Sequence, residues 1–228
     1  MSNPFRVAVV AEGPTDKIVI EAVVFRIFGD RPFILRHLQP EESQAFTPLG
    51  TGWGGVYRWC RQASERAGGP MRYDMLFQTY DLLILHLDAE VAAENYGNAG
   101  ITDPTNDLPC ACPCPPPEDT TNALRNVMLR WIGEAEVLPK TVFCTPAMMT
   151  ETWVLCALYP DVAAAIPGII ECYANPHNRL QAQPKAGRLR KTASAYRGRS
   201  VEITNSWHRV RAVCSEAERF STALAAFV

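Results

Sequence analysis

Apolar residues along this chain gather in short runs, and the polar positions between them sort the runs into strands and helices. Residues 5–11 (FRVAVVA) are apolar, rich in β-branched side chains and bounded by Gly13-Pro14, which predicts a buried strand. Residues 15–28 are nearly all apolar, with Asp16, Lys17, Glu21 and Arg26 spaced through them. They predict a largely buried helix stopped by Gly29. Residues 32–38 form a second strand, Gly52 to Gly55 punctuate, and residues 56–67 form an amphipathic helix. In residues 81–88 (DLLILHLD), five of the six positions from Leu82 to Leu87 are apolar, the pattern of a parallel strand covered on both faces. Residues 95–118, rich in Gly, Pro, Asn and Cys, read as an irregular insertion. Asp119 or Thr120 caps a helix running to about Ile132. Residues 141–144 form a short strand, 150–158 a helix ending before Pro160, and 215–227 a final helix. Strands alternating with helices predict an α/β fold with a doubly wound, mainly parallel sheet and helices on both faces. Residues 1–145 make its core, and residues 146–228 a helical, basic C-terminal extension packed on the same domain.

Composition narrows the class. The chain has 228 residues, 47% hydrophobic and 20% charged, enough for a buried core and unlike a disordered chain. No stretch reaches the apolar length of a bilayer span, and MSNPFRVAVV lacks a basic-then-apolar leader, so the expected location is cytoplasmic, away from membranes. Of the eight cysteines, Cys60, Cys144, Cys156 and Cys172 lie in or beside apolar segments and read as buried thiols in a reducing compartment. The net charge of −2 conceals a separation. Arg179, Lys185, Arg188, Arg190, Lys191, Arg197, Arg199, Arg209 and Arg211 face only Glu202 within their segment, making it +8 and the remainder −10. A basic strip on an acidic body suits a polyanion, although a solvated loop with scattered charges has the same composition.

Two strands end in acids. The first runs into Glu12-Gly13-Pro14-Thr15-Asp16, and the third into Asp88-Ala89-Glu90. Working sites of open parallel sheets lie at the carboxyl ends of strands. Carboxylates beside a core are costly unless paired or bound to a cation. In an extended segment Asp88 and Glu90 point the same way, and such oxygen ligands suit Mg²⁺ or Mn²⁺. Glu12 and Asp16 as simple acids at a helix start are the structural alternative.

This order of strand, Glu-Gly-Pro-Thr-Asp, helix, and later strand with Asp-x-Glu resembles the TOPRIM domain of topoisomerases, primases and the overcoming-lysogenization-defect nucleases. It is similar above all to small stand-alone TOPRIM-like proteins of bacterial defence and mobile loci, over residues 5–90. The resemblance implies that Glu12 is a general acid/base or metal ligand, that Asp88 and Glu90 hold metal, and that Asp16 matches the acid following the glutamate. Glu90 stands where an aspartate is usual, and its longer side chain shifts the metal. Glu151, in Met149-Thr150-Glu151-Thr152-Trp153, completes a second metal position or is simply a first-turn helix acid. Lys185 and Lys191 are candidates for the lysine that offsets transition-state charge. Arg179, Arg188, Arg190, Arg197 and Arg199 are candidates for holding nucleic-acid phosphate. The function implied is a Mg²⁺- or Mn²⁺-dependent nuclease acting on DNA or RNA in phage defence or a mobile element. The alternative is a catalytically inactive nucleic-acid-binding or adaptor subunit, a homo-oligomer or a partner of a separate ATPase, since the chain carries no Walker-type loop.

Other patterns carry less. Gly50, Gly52 and Gly55 form a G-x-G-x-x-G without a good preceding strand, which suits a backbone-phosphate grip better than a dinucleotide site. Cys110, Cys112 and Cys114 lack C-x₂-C spacing and a fourth ligand, so zinc is not expected there. His86, inside the third strand, reads as a hydrogen-bonded core residue, and Tyr196 and Trp207 read as packing groups before base-stacking ones.

Overall fold

The computed structural model describes residues 3–40, 49–102 and 107–228. β-branched valines favour extended backbone, and β1 spans Phe5–Val10. Pro14, whose ring pre-sets a helical φ and whose missing N–H is no loss at a first turn, opens α1 at Pro14–Phe28. Gly29, with φ 57°, ends it. β2 (Phe33–Gln39), α2 (Gly52–Arg66), the single turn α3 (Leu76–Thr79) and β3 (Leu82–His86) follow. After them come α4 (Pro117–Trp131), β4 (Thr141–Cys144) and α5 (Thr150–Leu158). The chain then runs through α6 (Pro160–Ala164), α7 (Pro176–Gln181), α8 (Ala193–Arg197), α9 (Ser200–Val213) and α10 (Ser215–Ala225).

The strands form one all-parallel sheet in the order β2-β1-β3-β4. Val7 lies opposite Leu82 and Leu83 opposite Thr141, so β1 and β3 are the two inner strands. Their side chains alternate between two cores, as a period of two requires. Val7, Val9, Leu82, Ile84, Val142 and Cys144 face α1, α5, α9 and α10. Ala8, Val10, Leu83, Leu85 and Phe143 face α2 and α4. Every residue of β3 is buried, which is what its unbroken apolar run predicts.

Several expectations are corrected. α2 begins at Gly52, so Gly52 to Gly55 are its first turn; a Cβ on Gly54 would meet the Ala99 methyl at 2.8 Å, and one on Gly55 would strike Gln39 and the Gly50 carbonyl. α4 starts at Pro117, which places Asp119 and Thr120 inside it. The Thr120 hydroxyl instead bonds the backbone of Cys112. Cys172 is not a free thiol, since it forms a disulfide with Cys114 across a Cα–Cα distance of 5.5 Å. With Cys114 so engaged, the Cys110, Cys112 and Cys114 trio offers no three-thiol zinc site. Cys60, Cys144 and Cys156 are buried and free as expected, as is Cys214.

The largest departure lies in the basic stretch, where α9 runs through it. Ile203, Trp207 and Val210 are fully buried at i, i+4 and i+7, a stripe packed on α1 and α5. Trp207 meets Trp153 edge-on, and its indole N–H donates to Ser221. Tyr196 is buried as well, so neither ring is free to stack on a base.

Candidate metal centre

The site grows from the ends of the two inner strands. Ala11 extends β1 by one backbone bond to Gln39, and the chain then turns at Glu12. The Glu12 carbonyl accepts the Gly52 N–H at 2.9 Å, and its side-chain Oε1 accepts the Asp88 N–H at 2.8 Å. The end of β1 is thereby tied both to the start of α2 and to the end of β3. Asp88 is the N-cap of a 3₁₀ turn, Ala89–Ala93. Its Oδ1 accepts the Thr150 N–H at 2.9 Å and the Thr150 hydroxyl at 3.0 Å. His86 Nε2 lies 2.9 Å from that hydroxyl and 3.2 Å from the same Oδ1. Ligand atoms of Glu12, His86 and Asp88 all fall within 4.8 Å of one another.

More acid surrounds this trio. Asp16, in the first turn of α1, is 5% exposed, and Glu151, in the first turn of α5, is 1% exposed. Glu151 Oε1 takes the Lys191 ammonium at 2.8 Å and the Tyr196 hydroxyl at 3.4 Å, while its buried Oε2 has no partner among the described residues. Burial pushes the Glu12 carboxyl well above its ordinary range, with the charge of Asp88 adding to it. Burial likewise lifts Asp16 to about 7, Asp88 and Glu151 pushing the same way against His86 and Lys191. Partial burial and Asp88 raise Glu90 to about 7. For His86, burial alone would lower the imidazole. The hydrogen bond and charge of Asp88, with Asp16 and Glu12, outweigh it and push it up to about 9. Burial also opposes the charge on Lys191, and Glu151 more than compensates, raising it.

Carboxylates that repel one another in a desolvated pocket are a donor set in need of positive charge, and protonation or a cation supplies it. The residues could hold a metal ion. Glu12 and Asp88 each commit one oxygen to the protein and leave the other, among the described residues, without a hydrogen-bond donor. Comparison of the chain with models of protein families, with curated proteins and with solved structures found no match. The site therefore rests on its own geometry.

Glu12 and Asp88 come together; Asp16, Glu90, Glu151 and Lys191 surround them. Glu90, however, does not share a face with Asp88 through strand alternation. The strand ends at His86, and Glu90 rides the 3₁₀ turn at the exposed rim. The remaining cations do not converge on the acids. Lys185 is exposed, and among the described residues no ion pair or hydrogen bond joins it to the cluster. Arg179 donates to the Tyr173 hydroxyl, Arg188 to the Gln183 carbonyl, and Arg199 to Glu202 and Tyr159. Arg190 and Arg197 are exposed. Sequence reasoning placed His86 correctly in the core as a hydrogen-bonded group but missed its bearing on Asp88. The signal was present: two residues apart in an extended segment, both face one side. Thr150 was missed as well, and its only cue was its place at a helix start.

Proposed function

We propose that this chain is a divalent-metal-dependent nuclease, or a related phosphodiester-processing enzyme, of TOPRIM type. The observation that carries the reading is the convergence of Glu12 and Asp88, from just past the ends of two different strands, beside the buried His86. Glu12 and Asp88 would hold Mg²⁺ or Mn²⁺, with Asp16 and Glu90 at the margin. When bound, such an ion activates water and offsets charge on a phosphodiester. The chain's own groups do the rest. Asp88 N–H holds Glu12 in place, and Thr150 and His86 hold Asp88. Lys191, on Glu151, presents an ammonium toward developing negative charge. Arg188, Arg190 and Arg197, on the surface, are suited to backbone phosphates. The ion displaces protons from the raised carboxyls, so its affinity rises with pH toward 7.

One observation favours a second reading, a binding or adaptor subunit without turnover. Glu90 stands apart from the trio, leaving two carboxylates where the resemblance implies three. Plasmid, linear DNA and RNA incubated with the pure protein in Mg²⁺ or Mn²⁺ separate the two. Cleavage that falls by about 100-fold or more in both Glu12→Gln and Asp88→Asn supports the enzyme. Salt-sensitive binding without cleavage supports the subunit, and cleavage unchanged in both variants sinks the metal site.

A further inference from the structure

Among the described residues, Asp88 meets the protein through one side-chain oxygen only. Its Oδ1 receives a backbone N–H and a hydroxyl from Thr150 at 2.9 and 3.0 Å, and His86 Nε2 stands 3.2 Å away. A carboxylate oxygen has two lone-pair positions, and the Thr150 N–H and hydroxyl fill them. The clamp is itself held. His86 Nε2 is 2.9 Å from the Thr150 hydroxyl, the imidazole is fully buried in β3, and the Thr150 N–H belongs to the first turn of α5. Because that hydroxyl donates its proton to Asp88, it accepts from His86, which fixes the direction of the whole chain of bonds. Glu12 is restrained in the same sense, with Oε1 on the Asp88 N–H.

Resting on the metal reading above, we infer that Thr150, backed by His86, is a positioning residue that makes Asp88 a one-oxygen ligand and so sets which cation the site accepts. Ca²⁺ takes six to eight oxygens and commonly draws both from one carboxylate, whereas Mg²⁺ and Mn²⁺ suit octahedral sites with single-oxygen ligation. With Oδ1 of Asp88 occupied, the bidentate mode is closed. The site discriminates against Ca²⁺ through hydrogen bonds made behind the ligand rather than through the ligand's identity.

The test is cation binding to the full-length, metal-free protein, followed by Mn²⁺ electron paramagnetic resonance and by competition with Mg²⁺ and Ca²⁺. Wild type is expected to bind Mn²⁺ about tenfold or more tightly than Ca²⁺. Thr150→Val, which exchanges the hydroxyl for a methyl, should weaken Mn²⁺ about tenfold and bring the Mn²⁺ to Ca²⁺ ratio toward one. Thr150→Ser should restore both. His86→Leu, which leaves the hydroxyl unanchored, should lose part of the discrimination and serves as the reading if Thr150→Val does not fold. A Mn²⁺ to Ca²⁺ ratio unchanged from wild type in these variants overturns this inference and leaves the metal site standing. No divalent-ion binding by wild type overturns both together.

Discussion

Asp16 and His86 show what single side chains contribute before any cation arrives. Both hold protons in the folded chain at pH values where the unfolded chain has released them, Asp16 up to about 7 and His86 up to about 9. A folded state that binds the extra proton gains stability at low pH and loses it as pH rises through the raised value. For Asp16 the loss falls between its ordinary 3.8 and about 7, and for His86 between 6.5 and about 9. The metal-free protein should therefore be less stable at pH 9 than at pH 5, by an amount on the order of a few kcal/mol. Urea unfolding at the two pH values measures it, and Asp16→Asn should flatten the part below pH 7. A slope of opposite sign would show that these two groups do not hold the extra proton in the folded chain. The acids at the strand ends were readable from sequence because an apolar strand running into Glu or Asp is an energetic anomaly. The placement of Glu90 was not legible, because the strand stops four residues earlier and a 3₁₀ turn has no apolar period to announce it. His86 was legible by its spacing from Asp88.

At the scale of elements, α1, β1, β3, β4 and α5 were legible because each is a dense apolar run with clear punctuation. α9 was not, since only Ile203, Trp207 and Val210 carry its buried stripe within a basic, largely polar stretch. Three positions among fourteen residues suffice when one of them is a tryptophan. Trp207 packs edge-on against Trp153, which in turn stacks on Phe220. Trp207→Ala should cost about 3–5 kcal/mol, seen as a lower melting temperature and urea midpoint. A loss below about 1 kcal/mol would mean that α9 is dispensable to the core on that face of the sheet. The basic residues on the outer side of the same helix are then free of packing duty. Arg211 is engaged with Glu218, while Arg199, just before the helix, pairs with Glu202 and lies over the Tyr159 ring.

For the whole molecule, helices from the last third of the chain share one core with α1 and the inner strands, while α2 and α4 cover the opposite face. Among the described residues no helix is long and apolar enough to cross a membrane. The disulfide between Cys114 and Cys172 spans 58 residues and joins the segment before α4 to the one before α7. Closing a loop of that length restrains the unfolded chain by about 4 kcal/mol. Reduction, or Cys114→Ser, should lower the melting temperature by roughly 10 °C. An unchanged melting temperature after reductant would show that the bridge adds nothing to the fold. Neither change touches Glu12, Asp88 or Thr150, so Mn²⁺ binding is expected to survive both.

The bond from Thr150 to Asp88 has a bearing on inheritance. A recombination event joining residues 1–145 of this chain to a foreign tail would pass on Glu12, His86 and Asp88 unaltered. The recipient would lack the hydroxyl that donates to Asp88, and only tails bringing a hydroxyl residue to the start of that helix would restore it. If Glu12 and Asp88 serve as the proposed ligands, a residue outside their strand-end motifs serves the site as well, and a chimera keeping residues 1–145 would need it supplied from the new tail.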